Sequence, residues 1–277
     1  MSSRTRASGL ESSLAYMRFL ATSLLREMTQ ALENPVSWRP GGFLMLHKTM
    51  TQLAVFDWNC TLIDDVEACL DAKNAALAYL GAEQLDLSGL REIFTFPIIH
   101  AYQKAGVDAD HYLEHAEKIS EIFVETYKHA AKNCQLREGV HEVLDWLHAN
   151  NIPAIILSNH LMHPLKEDVA HMGLNHHFEA ILGTKHYATI IRKMDKQERL
   201  ENYMAEHGYD PGQSLIIGDT HEEAELARNL GMTGISITGG MFSRARLEAC
   251  HPDYTIDKIS DMIDICRKTW PLTGVAE

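Results

Sequence analysis

Polar residues end three of the short apolar segments in this sequence, and their types suit the transfer of a phosphoryl group. The three sets are Asp57 with Asn59, Ser158 with Asn159, and Asp219 with Thr220. If the segments are parallel strands of one sheet, their carboxyl ends lie at one edge, where ligands bind in such folds, and these side chains converge. The set then holds a carboxylate nucleophile, oxygen ligands for a divalent cation, and donors to phosphate oxygens, which are the groups that phosphoryl transfer needs.

The elements that must position these residues follow from the hydrophobic pattern. Short apolar runs predict five strands, at LAVFDW (53–58), AIILSN (154–159), EAILGT (179–184), SLIIGDT (214–220) and TGISIT (233–238). Helical patterns accompany them at 139–150, 163–172, 195–207 and 221–230. Apolar strands that alternate with helices indicate a parallel sheet covered on both faces. We therefore expect an α/β fold with a doubly wound, Rossmann-like core.

A long helical segment interrupts this alternation directly after the first strand. The pattern of residues 66–134 is almost purely helical, which predicts an inserted α-helical cap. The α/β core would then comprise residues 51–65 and 135–277. Residues 1–50 precede the first strand, and we expect them to form a helical extension and a linker.

The N-terminal extension has an amphipathic pattern of its own. Leucine and methionine recur at three- and four-residue steps from Leu10 to Leu32, which predicts a helix that ends before Asn34-Pro35. Such a helix usually docks its apolar face against another surface. We expect residues 9–33 to provide a contact surface, either for a homodimer or for a partner helix.

Net charge limits the classes of partner. The 277-residue chain has 25 basic and 38 acidic residues, a net charge of −13, which argues against binding to nucleic acids or to anionic membranes. A small phosphorylated substrate remains compatible, because a metal and a few local cations can reverse the field in one pocket.

Cysteine usage and hydropathy favour a cytoplasmic protein. The five cysteines include no close pair, which fits reduced thiols better than a disulfide framework. Apolar runs are shorter than the roughly 18 residues that span a bilayer. The Ser/Arg-rich start is followed early by Glu11, which does not favour a cleaved targeting signal.

Three segments resemble motifs of the haloacid dehalogenase-like superfamily. FDWNCTLIDD (56–65) is similar to the first motif, in which apolar residues precede D-x-D-G-T. ILSN (156–159) is similar to the second motif, and IIGDTHEEAELA (216–227) to the fourth, G-D-T-x-x-D. The third motif is a lone lysine before the fourth. Lys196 has the spacing typical of relatives with this pattern, and Lys193 is the second candidate.

The resemblance implies a Mg²⁺-dependent phosphatase and extends over residues 52–268. It points to the phosphoglycolate-phosphatase-like branch with a helical cap, because FTFPIIHAYQKAGVD (94–108) is similar to a Phe-Pro-containing stretch there. A cap that closes over the site favours a small phosphorylated metabolite over a phosphoprotein.

Each matching residue receives a role from this resemblance. Asp57 would attack phosphorus and become an aspartyl-phosphate, and Lys196 would offset the negative charge there. Mg²⁺ would be held by Asp57, Asp219 and the backbone carbonyl of Asn59, with Glu223 as a ligand or an outer-shell acceptor. The substrate-binding residues would be Ser158, Asn159 and Thr61 in the core, and Tyr102 and Lys104 in the cap.

Three positions depart from the pattern of the family. Asn59 stands where phosphatases of the family have an aspartate that protonates the leaving group, and an amide cannot deliver a proton. General acid–base help is typically worth about 10²–10⁴ in rate, so we expect slow turnover or a preference for good leaving groups. Cys60 replaces a glycine, which costs about 1 kcal/mol if the position needs a positive φ. Glu223 replaces an aspartate.

Two functions of different classes follow from these residues. The first is hydrolysis of a small phosphorylated metabolite through an aspartyl-phosphate at Asp57. The alternative is a catalytically weak phosphate-binding or scaffold protein that binds a partner through its N-terminal helix. Asn59 favours the alternative, whereas the retained Asp57, Ser158, Lys196 and Asp219 favour the enzyme.

Overall fold

The computed structural model of the protein describes residues 51–185 and 195–270. The extension at residues 1–50, with its expected helix and contact surface at 9–33, lies outside the described residues, and so does Lys193. The statements about these parts of the chain stay predictions.

The strands of the described residues form two sheets. In chain order they are β1 (Thr51–Phe56), β2 (Ile63–Asp64), β3 (Gln135–Leu136), β4 (Ala154–Leu161), β5 (Ala180–Thr184), β6 (Tyr209–Gly218), β7 (Thr233–Ile237) and β8 (Tyr254–Ile256). The larger sheet has the order β5-β4-β1-β6-β7-β8, and all its pairs are parallel. Because β4 and β6 flank β1, the carboxyl ends of the three strands that were predicted to carry the chemistry lie side by side.

The helices cover the larger sheet and fill the long insertion after β2. They are α1 (Val66–Tyr79), α2 (Leu87–Ile93), α3 (Ile98–Lys104), α4 (Ala109–Glu114), α5 (Ala116–Ala130), α6 (Val140–Ala149), α7 (Met162–His171), α8 (Lys196–His207), α9 (His221–Leu230), α10 (Arg244–Ala249) and α11 (Met262–Thr269). Within residues 51–185 and 195–270, none of them has the length and apolarity that crossing a bilayer demands.

The central sheet is buried on both of its faces. Along β1, Leu53 and Val55 pack with apolar residues of α8 and α9, whereas Ala54 and Phe56 pack with those of α6 and α11. This alternation is the two-residue period of an extended strand. It confirms the predicted doubly wound α/β core, in which each strand needs apolar residues at every position.

The predicted elements of this core are confirmed, with shifts at their ends. The five strands are β1, β4, β5, β6 and β7, and the four helices are α6, α7, α8 and α9. β6 begins earlier than predicted, at Tyr209, and crosses Pro211. Its register with β1 shifts between the Thr51–Tyr209 and Leu53–Ser214 pairs. A proline has no N–H for the ladder, so the hydrophobic pattern shows only the regular part of this strand.

The helices α1 to α5 are connected to the core by two adjacent short strands. β2 and β3 pair antiparallel, with Ile63 opposite Leu136 and Asp64 opposite Gln135. The chain therefore leaves the sheet and returns to it at one place. α1 and α5 share an apolar cluster that includes Val66, Tyr127 and, from the core, Met241. The helical content of the insertion agrees with the predicted cap, and its exact division from the core stays a prediction.

Candidate active site

Asp57 is held at the end of β1 by a tight turn. Its backbone N–H donates to the carbonyl of Ile217 in β6 at 3.0 Å, so the ladder continues one residue past the strand. The N–H of Leu62 then returns to the carbonyl of Trp58 at 3.0 Å. Cys60 lies within this turn at φ 57°, in the left-handed region. The position therefore has the positive φ that favours a glycine.

Lys196 supplies a positive charge beside Asp57. It is the first residue of α8, and its Nζ atom lies 3.0 Å from Asp57 Oδ1 and also contacts Glu223. The side chain is only 3% exposed. Burial lowers the pKa of Lys196, but the carboxylates of Asp57, Glu223 and Glu222 outweigh this effect and hold the pKa above its usual value. Lys196 therefore stays a cation.

Two buried carboxylates repel each other where the strands end. Burial raises the pKa of Asp57 to about 6, against the opposing charge of Lys196. Burial and the charge of Asp57 raise the pKa of Asp219 well above its usual range. Asp219 Oδ2 accepts a hydrogen bond from the backbone N–H of Met241 at 2.6 Å, which fixes the carboxylate. Buried carboxylates with raised pKa values are the arrangement that a divalent cation stabilises.

Glycines let the chain approach these carboxylates closely. A Cβ atom at Gly240 would lie 2.2 Å from Asp219 Oδ2, and one at Gly218 would lie 2.2 Å from Glu223 Cγ. Both distances are shorter than any real contact, so the two positions accept no side chain. Glu223 is held by Lys196 at one oxygen and by the Thr220 hydroxyl, at 2.9 Å, at the other.

The second strand end presents Ser158 and Asn159. Ser158 is buried and its Oγ accepts a hydrogen bond from the N–H of His160 at 3.1 Å. Arg199 donates to the carbonyls of Ser158 and Leu182 at 2.9 and 2.7 Å, which ties the ends of β4 and β5 to α8. This arginine thus fixes the backbone that carries the phosphate-binding candidates.

Asn59 belongs to a closed hydrogen-bond network with two residues outside the motif positions. Its Nδ2 donates to Asp65 Oδ2 at 2.6 Å and to the Tyr127 hydroxyl at 2.8 Å. Tyr127 in turn donates to the same Asp65 oxygen at 2.7 Å, and the N–H of Cys60 donates to Asp65 Oδ1 at 2.7 Å. An ionised carboxylate only accepts hydrogen bonds, so it orients the amide nitrogen of Asn59 towards itself.

The network decides what Asn59 can do for a substrate. The amide has two N–H hydrogens, and Asp65 and Tyr127 accept both. Asn59 keeps only its carbonyl oxygen, which accepts a hydrogen bond but cannot donate one. Burial raises the pKa of Asp65, while the hydrogen bonds from Tyr127, Asn59 and Cys60 oppose the rise. The side chain of Asn59 therefore offers neither a proton nor a hydrogen bond to a leaving group.

A cavity of about 680 Å³ joins these groups. Its polar end includes Asp57, Asn59, Ser158, Asn159, Lys196 and Asp219. The rest of the wall is mainly apolar and comes from the helical insertion and from residues 160–172 at the end of β4 and in α7, including Glu167 and Asp168. Another cavity, of about 700 Å³, is lined by residues 132 and 134–142 with His171 and Met172, and contains none of the predicted site residues.

Two predicted substrate-binding residues do not lie at the cavity wall. The Thr61 hydroxyl is buried and donates a hydrogen bond to Asp219 Oδ1 at 3.4 Å, so it helps to orient that carboxylate. Lys104 is exposed on α3 and is not among the residues that line the cavity. Tyr102, which was predicted from the same segment, does line the cavity.

Several residues of the site were missed in the sequence. Glu222 is buried, accepts a hydrogen bond from Asn159 and lies 3.9 Å from Lys196, and burial raises its pKa to about 8. In the sequence, the only feature that could have indicated a role for Glu222 was its position next to Glu223. Asp65 was visible as the end of the first motif, but its partner Tyr127 is 62 positions away and nothing in the sequence links the two. Arg199 gave no signal beyond a helical pattern.

Comparisons with known proteins show the family and the fold of the chain. A model of the family described as haloacid dehalogenase-like hydrolase matches residues 54–237. Phosphoglycolate phosphatases of Pseudomonas putida and Chromobacterium violaceum are 25% and 26% identical to the chain, over 82% and 76% of it and over 83% and 95% of their own lengths. A solved haloacid dehalogenase-like hydrolase from Streptococcus pneumoniae shares the fold with a TM-score of 0.66, at 22% identity, over 78% of this chain and 99% of its own.

Proposed function

This chain belongs to the haloacid dehalogenase-like hydrolases, and from that premise we propose that it is a Mg²⁺-dependent phosphatase acting on a small phosphorylated metabolite through an aspartyl-phosphate at Asp57. The observation that carries the proposal is the contact of Lys196 with Asp57 at 3.0 Å, in a cavity that Ser158 and Asp219 also line. A buried carboxylate, a fixed cation, a hydroxyl and a second carboxylate are the groups that a covalent phosphoryl transfer uses.

The donor set at the strand ends fits Mg²⁺. Asp57 and Asp219 are buried. Burial raises the pKa of both carboxyl groups, the charge of Asp57 raises that of Asp219 further, and a divalent cation would relieve this cost. The backbone carbonyl of Asn59 would complete the protein ligands, since Mg²⁺ prefers a few oxygen ligands and keeps several waters. Both oxygens of Glu223 are bound by Lys196 and Thr220, so Glu223 would act from the outer shell by orienting Lys196. When bound, the metal would neutralise charge on the phosphoryl oxygens.

The residues of the chain would perform two displacements at phosphorus. In the first, an oxygen of Asp57 forms a bond to phosphorus, and the bond from phosphorus to the ester oxygen breaks with its electron pair on the leaving group. The Ser158 hydroxyl, which accepts from His160 and keeps its own hydrogen, would donate to a phosphoryl oxygen, and Lys196 would stabilise the charge. In the second, a water oxygen forms a bond to phosphorus, the bond from phosphorus to the Asp57 oxygen breaks and returns the carboxylate, and the protons of the water leave with inorganic phosphate.

The leaving group would depart without a proton from the chain at position 59. Both N–H groups of Asn59 are used by Asp65 and Tyr127, so no general acid stands in the usual place. Without that help, a poor leaving group such as an alkoxide reacts about 10²–10⁴ times more slowly, whereas a carboxylate or a phosphate leaves readily. We therefore propose a preference for acyl phosphates and anhydrides.

A panel of phosphate compounds tests this function. Phosphate release with Mg²⁺ is measured on acetyl phosphate, phenyl phosphate and phosphoglycolate, with Asp57→Asn as the isosteric variant that cannot form the aspartyl-phosphate. Asp145→Asn, on α6 away from the cavity, is the matched control for the loss of one carboxylate. Release from acetyl phosphate that is lost in Asp57→Asn and kept in Asp145→Asn supports the proposal. Release that persists in Asp57→Asn rules it out.

Asn59 favours one further candidate function, a phosphate-binding protein with little turnover. It predicts that none of the compounds is hydrolysed, while Mg²⁺ and phosphate still bind and Asp219→Asn weakens the binding of the metal. This outcome would separate the binding protein from the phosphatase by a direct measurement of affinity.

A further inference from the structure

A buried lysine without a hydrogen-bond partner borders the cavity. Lys73 lies on α1, is only 2% exposed, and its Nζ atom contacts no acceptor among residues 51–185 and 195–270. The Nζ atom lies 3.8 Å from the centre of the Tyr102 ring, and both residues line the cavity that contains Asp57. Buried charged groups are normally paired, so an amine in this position needs an explanation.

Nothing in the described parts of the chain neutralises a charge on Lys73. Burial lowers the pKa of its amine from 10.5 to about 7, and the only opposing influence comes from the Cys69 thiol one helical turn earlier. The acidic residues of the polar end are engaged elsewhere, Asp57 with Lys196 and Asp219 with the Met241 N–H. A ligand that brought one negative charge to Lys73 would therefore gain an ion pair at a buried position, where water screens the charges little.

Much of the wall that the helical insertion contributes to this cavity is apolar. It is lined by Leu90, Phe94, Phe96, Ile98 and Phe123. The volume of about 680 Å³ lies within the range of roughly 300–1,000 Å³ that is typical of sites for ligands of drug size. A two-carbon phosphate ester would leave most of this wall in contact with water. The cavity thus fits a longer, apolar body beside the phosphate.

We propose that Lys73 binds a carboxylate at the far end of the substrate, so that the substrate class is a phosphate compound in which an apolar, ring-sized body separates the phosphoryl group from a carboxylate. The phosphate end of this assignment rests on the proposed function. A carboxylate is favoured over a second phosphate because one ammonium neutralises one negative charge, and a phosphate would bring nearly two into an apolar site.

Other cations along the cavity are less suited to this role. Lys128 and Lys132 also line it, but both are exposed at its rim. Ion pairs of exposed lysines contribute about 0–1 kcal/mol, since water solvates both partners. Lys73 is the buried cation of the insertion, and it can discriminate between a carboxylate and its neutral amide.

Binding of phosphate-free probes tests the subsite without depending on turnover. The probes are phenylalkanoates with chains of two to six carbons, each paired with its primary amide, and they are titrated calorimetrically into the full chain. The variants are Lys73→Met, which keeps the length of the side chain, and Lys118→Met, which removes an exposed lysine of α5 paired only with Glu121. We expect at least one carboxylate to bind 10-fold or more tighter than its amide, in the parent and in Lys118→Met. In Lys73→Met this ratio should fall to about one.

Proton uptake gives a second readout that a merely structural role would not produce. At pH 8 an amine with a pKa of about 7 is mostly neutral, and pairing with a carboxylate makes it bind a proton. Titration in two buffers of different ionisation enthalpy should show uptake of a large fraction of one proton per carboxylate bound in the parent, and almost none in Lys73→Met. Equal binding of acids and amides, no binding of any probe, or the same uptake in Lys73→Met overturns the assignment.

Hydrolysis separates this inference from the proposed function. Phenyl phosphate and 4-(2-carboxyethyl)phenyl phosphate are compared as substrates of the parent. Hydrolysis of both without charge-selective binding of the probes would leave the phosphatase standing and remove the Lys73 subsite. Charge-selective binding that depends on Lys73, without any hydrolysis, would leave the subsite standing and remove the phosphatase.

Discussion

Asn59 donates a hydrogen bond to Asp65 over 2.6 Å, and the Tyr127 hydroxyl contacts both side chains. The amide at position 59 and the carboxylate at position 65 are therefore complementary, since one donates and the other accepts. An aspartate at position 59 would instead place two carboxylates within hydrogen-bond distance of each other. The residue that position 59 can hold therefore depends on Asp65, the carboxylate six residues later.

The first prediction concerns an exchange of these two residues. Asn59→Asp alone makes a pair of carboxylates that must share a proton. The shared proton would not be available to a leaving group, and repulsion between the two side chains would strain the loop. Asn59→Asp/Asp65→Asn keeps the net charge and restores a donor and an acceptor. We expect the double variant to raise kcat/KM on phenyl phosphate by about 10–10³ and to change acetyl phosphate much less, because only the poor leaving group needs a proton.

The control for this exchange is Asp65→Asn alone, which removes the carboxylate without creating an acid at position 59. It should show no gain on phenyl phosphate. Equal gains in Asn59→Asp and in the double variant would show that Asp65 does not restrict position 59. A double variant that binds Mg²⁺ and remains as slow as the parent would contradict the role assigned to the missing acid.

The second prediction concerns the metal. Asp57 and Asp219 are buried and repel each other, so Mg²⁺ should stabilise the folded protein. At 100 times its dissociation constant a ligand contributes about 2.7 kcal/mol, which for a domain of this size raises Tm by about 5–10 °C. Asp219→Asn should abolish this shift and, at pH 8 without metal, should have a higher Tm than the parent because one charge is removed.

Calorimetric scans with Mg²⁺ and with EDTA measure both effects, and Asp145→Asn is the control with the same change of charge. Asp145 is largely exposed on α6, so its variant should keep the full shift caused by Mg²⁺. A shift of the same size in Asp219→Asn would place the metal elsewhere, and a lower metal-free Tm would argue that Asp219 is stabilising rather than strained.

The fold could be predicted from the sequence where apolar residues follow a regular period. The strands around Val55, Ile156 and Ile217 are buried on both sides, so their apolar runs are continuous and their polar ends are conspicuous. β2 and β3 could not be predicted, because strands of two residues such as Ile63–Asp64 have no period of their own. Their pairing depends on contacts between distant parts of the chain.

The candidate site, like the fold, has residues that the sequence pattern predicts and residues that it does not. Asp57, Ser158 and Asp219 follow apolar strands, so the parallel sheet brings them together in a predictable way. Lys73 and Lys104 look alike in the sequence, since both lie in segments with a helical pattern. One is buried beside the cavity and the other is exposed, because packing of α1 against α5 and of α3 against its neighbours determines which face each helix buries.

The third prediction concerns the turn after Asp57. Cys60 has a φ of 57° and is buried. Its side chain contributes packing contacts, but its backbone is strained because the left-handed region disfavours a residue with a Cβ atom. Cys60→Gly and Cys60→Ala both remove the sulfur atom, and only glycine relieves the strain. We expect Cys60→Gly to be about 1 kcal/mol more stable than Cys60→Ala in urea unfolding. Equal stabilities would mean that the turn relaxes around alanine.

The fourth prediction concerns the dependence of stability on pH. The pKa of Lys73 is about 7 in the folded protein because of burial, against 10.5 for an ordinary lysine. Between these values the unfolded chain binds more protons, so stability rises with pH by up to about 1.4 kcal/mol per pH unit. The stability associated with the neutral buried amine is complete above about pH 10.5 and is lost as the pH falls towards 7.

Lys73→Met removes this slope, so its advantage over the parent in free energy of unfolding should be largest near pH 7. Between about pH 7.5 and 9.5 the advantage should shrink by roughly 2 kcal/mol, as measured by urea unfolding. Cys69 is the other titratable group that acts on Lys73. Its hydrogen bond with Cys60 lowers the pKa of the Cys69 thiol, but burial and the charges of nearby carboxylates together outweigh this and raise it to about 11, so the thiol stays neutral in this range. A difference in free energy of unfolding between parent and Lys73→Met that is constant with pH would mean that Lys73 does not titrate as a buried, unpaired amine. Lys118→Met is the control: its lysine is exposed, so its difference from the parent should not change with pH in this way.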